Sequence, residues 1–220
     1  MMQIEFVSDV VCPWCAIGLA SLEQALAEVG PEIGPVSLRF QPFELNPQMP
    51  PEGEPIVEHL SRKYGRTPEE LAGAAQMIQQ RAEGLGFPMR TANRSRIWNT
   101  FDCHRLLHWA GTVGETEQKA LKQALLLAYH RDGLNPADPA MLRAAAAEAG
   151  LDATEAAAVI ADPTRHAAEV RQDQALWGQL AQMLPELVNR MTPQGQLPAS
   201  PAESPDLGSL LGGLSGLLKG

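Results

Sequence analysis

Two cysteines separated by two residues, Cys12-Pro13-Trp14-Cys15, are the part of this 220-residue sequence best equipped for chemistry. Disulfide exchange needs one accessible thiol that is a thiolate near neutral pH and a second thiol that can reach the mixed disulfide and resolve it. The C-x-x-C spacing supplies both when it opens a helix. Cys12 then precedes the first turn, where unpaired backbone N–H groups and the helix dipole favour an anion. Its pKa is expected to fall from about 8.5 toward the ~3.5 to 7.5 seen in such motifs. Cys12 reads as the attacking nucleophile, and Cys15, one turn on and facing inward, as the resolving thiol. Pro13 and Trp14 tune the pair: Pro13 sets the helix start and removes an N–H that would lack a partner, while Trp14 offers an apolar shelf to a substrate.

The same spacing is also half of a zinc site. The complementary pair at metal-ligand spacing is missing, because Cys103-His104 is adjacent rather than spaced, so no metal is expected. Two isolated structural cysteines are the other alternative. Cys103 reads as a buried small apolar residue in preference to a redox role. His104 and Arg105 carry two readings of equal weight: cations facing the cleft, where they would stabilise the Cys12 thiolate, or a structural hydrogen-bond and ion-pair cluster.

An element pattern exists that can position the motif. Gln3 to Val10 alternates apolar and polar residues over the length of a strand, which delivers Cys12. From Pro13 to Val29, Ile17, Leu19, Leu22, Ala25, Leu26 and Val29 recur at helical spacing, and Gly30-Pro31 stops the run. Val36 to Leu45 reads as a second strand, parallel to the first because a helix connects them. Helices are then expected from Pro55 to Tyr64, from a Thr67 cap to about Glu83, from an Asn99 cap through Trp109, and from Glu115 to His130. Others run from Asp138-Pro139 to Gly150 and begin at Asp152 and at Asp162-Pro163. The expected organisation is a βαβ part with the motif over 1–50, a helical insertion subdomain over 51–162, and a C-terminal helix or helices over 163–191. A Pro/Gly/Ser/Leu-rich tail over 192–220 is expected to be disordered.

Bulk properties narrow the function classes. A formal net charge of -9 and a pI near 5.0, with no run of Lys or Arg, lack the electrostatic footprint of nucleic-acid or anionic-membrane binding. Leu207 to Leu218 is apolar but short and broken by Gly, so no membrane span is expected. The sequence enters a strand pattern at once, with no basic start before a long apolar run, and a cytoplasmic protein is expected. Three cysteines in a chain of this length do not make a disulfide scaffold, which leaves local redox chemistry.

The residues Phe6-Val7-Ser8-Asp9-Val10-Val11-Cys12-Pro13-Trp14-Cys15-Ala16-Ile17-Gly18 resemble the DsbA-like thioredoxin family, in its FrnE branch. So do Phe40-Gln41-Pro42-Phe43-Glu44-Leu45-Asn46-Pro47, Asn99-Thr100-Phe101-Asp102-Cys103-His104-Arg105-Leu106 and Ala128-Tyr129-His130. The resemblance covers about residues 3–177. It implies an α/β thioredoxin-like fold with a large helical insertion after the second strand, and disulfide exchange carried by Cys12 and Cys15. After Trp177 the family pattern of a cis-proline turn, two antiparallel strands and a closing helix is absent, so those strands are missing or replaced. Leu184-Pro185 is the one candidate for the cis-proline dipeptide, yet its surroundings read as helix. Leu184 to Pro198 is similar to the end of YidB-like bacterial proteins. Loss of the two strands would leave an unpaired sheet edge.

The leading expectation is a thiol–disulfide oxidoreductase acting on protein or low-molecular-weight thiols and disulfides, without a cofactor, with dimerisation left open. One alternative is a glutathione-dependent isomerase or transferase of the same architecture, against which Cys12 argues, since such enzymes resemble this one with a Ser there. The other is a non-catalytic interaction module, suggested by the absent cis-proline segment.

Overall fold

The computed structural model describes the backbone of 2–191 and the side chains of 2–183. Strand β1 (Met2–Ser8), helix α1 (Pro13–Val29) and strand β2 (Val36–Pro42) form the expected βαβ unit. β1 and β2 pair in parallel with Phe6 opposite Phe40, and the two rings meet edge to face at 5.7 Å. Gly30, at φ 65, ends α1 in a conformation open to glycine and costly for other residues.

The helical block follows the sequence signals closely. Helix α2 (Ile56–Tyr64) closes on left-handed Gly65, and α3 (Pro68–Gly84) opens on a complete capping box between Thr67 and Glu70. Helices α4 (Phe101–Val113), α5 (Glu115–His130), α6 (Pro139–Glu148) and α7 (Ala153–Ala161) come next, with Asp138 and Asp152 capping the last two as their sequence positions suggest. Two expected starts shift. Asn99 sits one residue outside the cap position of α4, accepting a hydrogen bond from the Phe101 N–H at 2.8 Å, and Thr100 takes the cap place. Asp162-Pro163 begins no helix directly. The Asp162 carboxylate instead closes a turn by accepting from the Thr164 N–H and hydroxyl, and α8 (Ala167–Met191) starts after His166, held at φ 59.

A feature without a periodic signal is a two-residue antiparallel ribbon of β3 (Glu54–Pro55) and β4 (Arg96–Ile97). Gly53 makes it possible: at φ 64, a Cβ there would lie 2.5 Å from the Ile97 carbonyl oxygen. Among the described residues no strand follows Ile97, and Leu184-Pro185 lies within α8. The architecture is therefore mixed α/β and mostly helical, with the helical insertion after β2 and, among the described residues, none of the C-terminal strands that the family pattern carries. The tail expected over 192–220 lies outside the described residues.

The chain divides into two units after Gln174, and the site lies in the first. Two buried clusters build that unit. One joins Val10 and Val11 to α4, α5, α6 and α7 through Leu106, Leu121, Leu125, Tyr129 and Leu142; the other packs Ala16, Ile17 and Leu19 of α1 against Phe40, Met89 and Leu126. Helix α5 contributes to both, which makes it the spine between the sheet and the helical block. At the outer edge of β2, the Gln118 side chain replaces a strand: its carbonyl accepts from the Phe40 N–H at 3.0 Å and its amide donates to the Phe40 carbonyl at 3.1 Å. On its other edge β1 has no strand partner among the described residues.

Candidate active site

The loop from Ser8 to Cys12 is fixed before the motif begins. Asp9 is 1% exposed, and its Oδ2 accepts from the Leu45 N–H at 2.7 Å. His130, fully buried at the end of α5, donates from Nε2 to the Val10 carbonyl at 2.9 Å. Burial first, and then the neighbouring Arg94 guanidinium, push its pKa down to about 3. The ring is neutral, so Nδ1 is free to accept from Arg94 Nη1 at 3.3 Å while Nε2–H donates to the loop.

Cys12 takes the N-cap position of α1 with extended backbone, φ -81 and ψ 115, and Pro13 occupies the first turn. The Cys12 carbonyl accepts from the N–H groups of Cys15 at 3.2 Å and Ala16 at 3.4 Å, so the two sulfurs lie side by side at the helix start. Both are free thiols and half-buried, and Trp14 is 41% exposed beside them. Cys15 is thus less shielded than the sequence suggests.

The two thiols share a hydrogen bond, and it governs their titration. That bond lowers the pKa of Cys15 and raises that of Cys12; burial raises both. Cys15 is further stabilised as an anion by the Lys122 charge and by the Asp9 N–H. With both thiols reduced, the first proton leaves the pair below the ordinary thiol range and the remaining proton is held between the sulfurs. The helix-start argument assigned this gain to Cys12 alone. The structure gives it to the pair with the charge resting mainly on Cys15, because Cys15 backs onto both Lys122 and the Asp9 amide.

The sequence candidates on α4 separate. Arg105 is 1% exposed and donates from Nη1 to the carbonyls of Val159 at 2.8 Å, Asp162 at 2.8 Å and Arg165 at 3.0 Å, and pairs with Asp102 at 2.9 Å. It fastens the end of α7 and is structural. His104 turns to the site: its Nε2 lies 3.6 Å from Asp9 Oδ1, beyond a good hydrogen bond, and has no hydrogen-bond partner. Asp9 nevertheless keeps its pKa below 3.8: burial works against this, and the imidazole of His104, the Leu45 N–H and Thr100 outweigh it. Cys103 is fully buried, its thiol donating to the Pro136 carbonyl at 3.1 Å, and burial pushes its pKa far up, so it is a core residue. Among the described residues no cluster of three His, Cys, Asp or Glu side chains is placed to hold a metal, and no helix is long and apolar enough to cross a membrane.

Three further residues belong to the site. Lys122, 1% exposed on α5, sits in the apolar stripe with Leu121, Leu125 and Leu126, and a lysine inside such a stripe was the available signal. Lys63 on α2 donates to the Leu45 carbonyl at 3.0 Å and to Asn46 Oδ1 at 2.8 Å, bracing the loop that binds Asp9. Asp9 lies in the motif region and is marked by its acidic position at the end of an apolar strand.

A model of the DsbA-like thioredoxin domain matches residues 3–181. The chain belongs to the DsbA-like thioredoxin family. A protein described as a probable DsbA oxidoreductase from Streptomyces coelicolor is 31% identical, superposes with a TM-score of 0.75, and aligns over 94% of this chain and 100% of its own. YwbO of Bacillus subtilis, itself uncharacterised, is 26% identical over 151 residues, 69% of this chain and 68% of its own length. A 2-hydroxychromene-2-carboxylate isomerase shares the fold at 13% identity and a TM-score of 0.59, aligning over 80% of this chain and 78% of its own. In this DsbA-like chain the cysteine pair stands where β1 meets α1, framed by the helical insertion.

Proposed function

We propose that this DsbA-like protein is a thiol–disulfide oxidoreductase whose Cys12 and Cys15 cycle between dithiol and disulfide while exchanging with a protein or low-molecular-weight partner. The reading is carried by the shared hydrogen bond at the helix start, which lets the pair hold one negative charge at a pH where an isolated thiol is protonated. The proton can move along this bond, so the anion reaches Cys12, the thiol at the exposed Trp14 side. Thiolate at Cys12 attacks a substrate disulfide, forming Cys12–S–S–R and releasing R–S⁻. Cys15 gives its proton to the released R–S⁻, attacks the Cys12 sulfur as a thiolate, and the second R–S⁻ leaves. Two electrons pass from the pair to the substrate, and no cofactor is needed because the sulfurs carry both. The acidic surface and the absence of basic runs favour thiol partners over nucleic acid or membrane, in the reducing cytoplasm.

The test is insulin reduction with a thiol reductant. Cys12→Ser is expected to abolish it, and Cys15→Ser to retain the first attack and accumulate a mixed disulfide at Cys12. Full turnover in Cys12→Ser removes the reading, and tight glutathione binding with turnover of an aromatic enone would assign the site to isomerase chemistry instead.

A further inference from the structure

The resolving step raises a problem that the reduced pair does not have. While Cys12 is bonded to a substrate it has no S–H, so the largest stabiliser of the Cys15 thiolate is gone. We propose that Lys122, a fully buried lysine on α5, is the positioning charge that keeps Cys15 a thiolate during this step. The role rests on the oxidoreductase reading above and adds to it a residue that touches neither substrate nor the attacking sulfur.

The placement of Lys122 follows from its neighbours on the same helix face. One turn before it, Gln118 is locked to the edge of β2 by two bonds to Phe40 and one to the Leu107 carbonyl at 3.2 Å. One turn after it, Leu126 packs with Ala16, Ile17 and Leu19 of α1, the helix that carries Cys15. Another turn on, His130 holds the Val10 carbonyl. Lys122 is thereby held between the sheet and α1, with 1% of its surface exposed. Its charge acts on Cys15 ahead of Asp9, Cys103 and Cys12, and on the Cys15 side it is the largest charge that favours the anion. Burial disfavours the ammonium, and the Cys15 and Asp9 charges work against this.

The thiolate released in the first step takes the Cys15 proton. Lys122 and His104 line a 290 Å³ pocket with Arg39, Phe40, Pro42 and Asp173. In the step itself the Cys15 thiolate forms the S–S bond with Cys12 Sγ, the Cys12–substrate bond breaks, and the substrate sulfur departs with the electron pair. Asp9 opposes the thiolate, and the Lys122 charge outweighs it at Cys15.

Dithiobis(nitrobenzoate) separates the two steps, since attack by Cys12 and resolution by Cys15 each release one coloured thiolate. Lys122→Met is expected to slow the second release far more than the first, because in the first the two sulfurs still share the charge. It should move the pH midpoint of the second release up by a unit or more, slowing it ~10-fold near pH 7. Lys122→Arg should restore the second phase, and Lys122→Gln repeats the comparison if Lys122→Met does not fold. A second phase in Lys122→Met or Lys122→Gln with the unsubstituted rate and midpoint overturns the role of Lys122 while leaving the oxidoreductase reading standing. No second release from the unsubstituted protein overturns that reading, and the role with it.

Discussion

Replacing Arg105 by Met tests whether this buried guanidinium is a fastening or a partner of the thiols. Its Nη1 serves the carbonyls of Val159, Asp162 and Arg165, the groups left open where α7 ends. Met fills the volume but donates nothing. Each buried carbonyl deprived of its donor costs ~1–3 kcal/mol, partly recovered where the segment can admit water. The Asp102 pair adds little because that carboxylate is 46% exposed. The sum is about 3–5 kcal/mol, a large part of the ~5–15 kcal/mol that holds a domain together. With a urea slope of about 2 kcal/mol per molar, the unfolding midpoint followed by circular dichroism should fall by about 1.5–2.5 M. Arg105→Lys, which keeps a charge and one donor head, should fall between. Rates of Cys12 alkylation per folded molecule should match the unsubstituted protein. A midpoint shift under about 0.5 M, or slowed alkylation with an unchanged midpoint, would refute the structural assignment.

Asp9 gives the pH-dependent counterpart. Its folded pKa is depressed, so its contribution to stability is complete above the ordinary value of 3.8 and is lost as pH falls through the lower folded value. Asp9→Asn should flatten the acid limb of a urea-midpoint against pH curve below about pH 4, and an unaltered limb would count against it. The same variant removes a negative charge that opposes both motif thiolates, so iodoacetamide alkylation of the pair should move to lower pH; movement upward would contradict the electrostatics. Cys103, fully buried, should resist alkylation in the native protein, with two modified thiols by mass spectrometry and three only after unfolding. Gly133→Ala should destabilise by ~2 kcal/mol, read as a thermal midpoint, because at φ 72 its Cβ would stand 2.1 Å from the Asn93 carbonyl oxygen.

What was legible in the sequence was local. Thr67, Asp138 and Asp152 announce their helices because a cap is a contact across three residues, and Gly30-Pro31 stops α1 for the same reason. The parallel βαβ unit follows from a helix lying between two apolar runs. Asp162 misled because an Asp before Pro closes a turn as readily as it caps a helix, and here its carboxylate is spent on Thr164. The β3–β4 ribbon left no trace, since two residues carry no periodicity and Gly53 acquires its meaning from Ile97, distant in sequence. The site divides along the same line. Cys12 and Cys15 are visible by spacing, whereas the choice between the two readings of His104 and Arg105 depends on which way neighbouring residues of one helix turn. Arg105 faces α7 and His104 faces Asp9, and that follows only from packing.

The buried charges also bear on the direction of electron flow. In the reduced protein, Lys122 faces two anions, Asp9 and the thiolate of the pair. Oxidation removes one of them, leaving Lys122 with Asp9 alone and the hydrogen bond between the sulfurs gone. Each interaction lost on oxidation is one that favours the dithiol form, so these contacts pull the reduction potential upward. Asp9 is the brake on this tendency, since it repels the thiolate that Lys122 attracts. Lys122 and Asp9 therefore act on the reduction potential in opposite senses: removing the lysine makes the pair more reducing, and neutralising the aspartate makes it more oxidising. For this two-electron couple a tenfold change in the exchange equilibrium is about 30 mV. Titration of Lys122→Met and Asp9→Asn against a glutathione buffer should displace the midpoint in opposite directions, and displacement of both in the same direction would show that these charges do not set it.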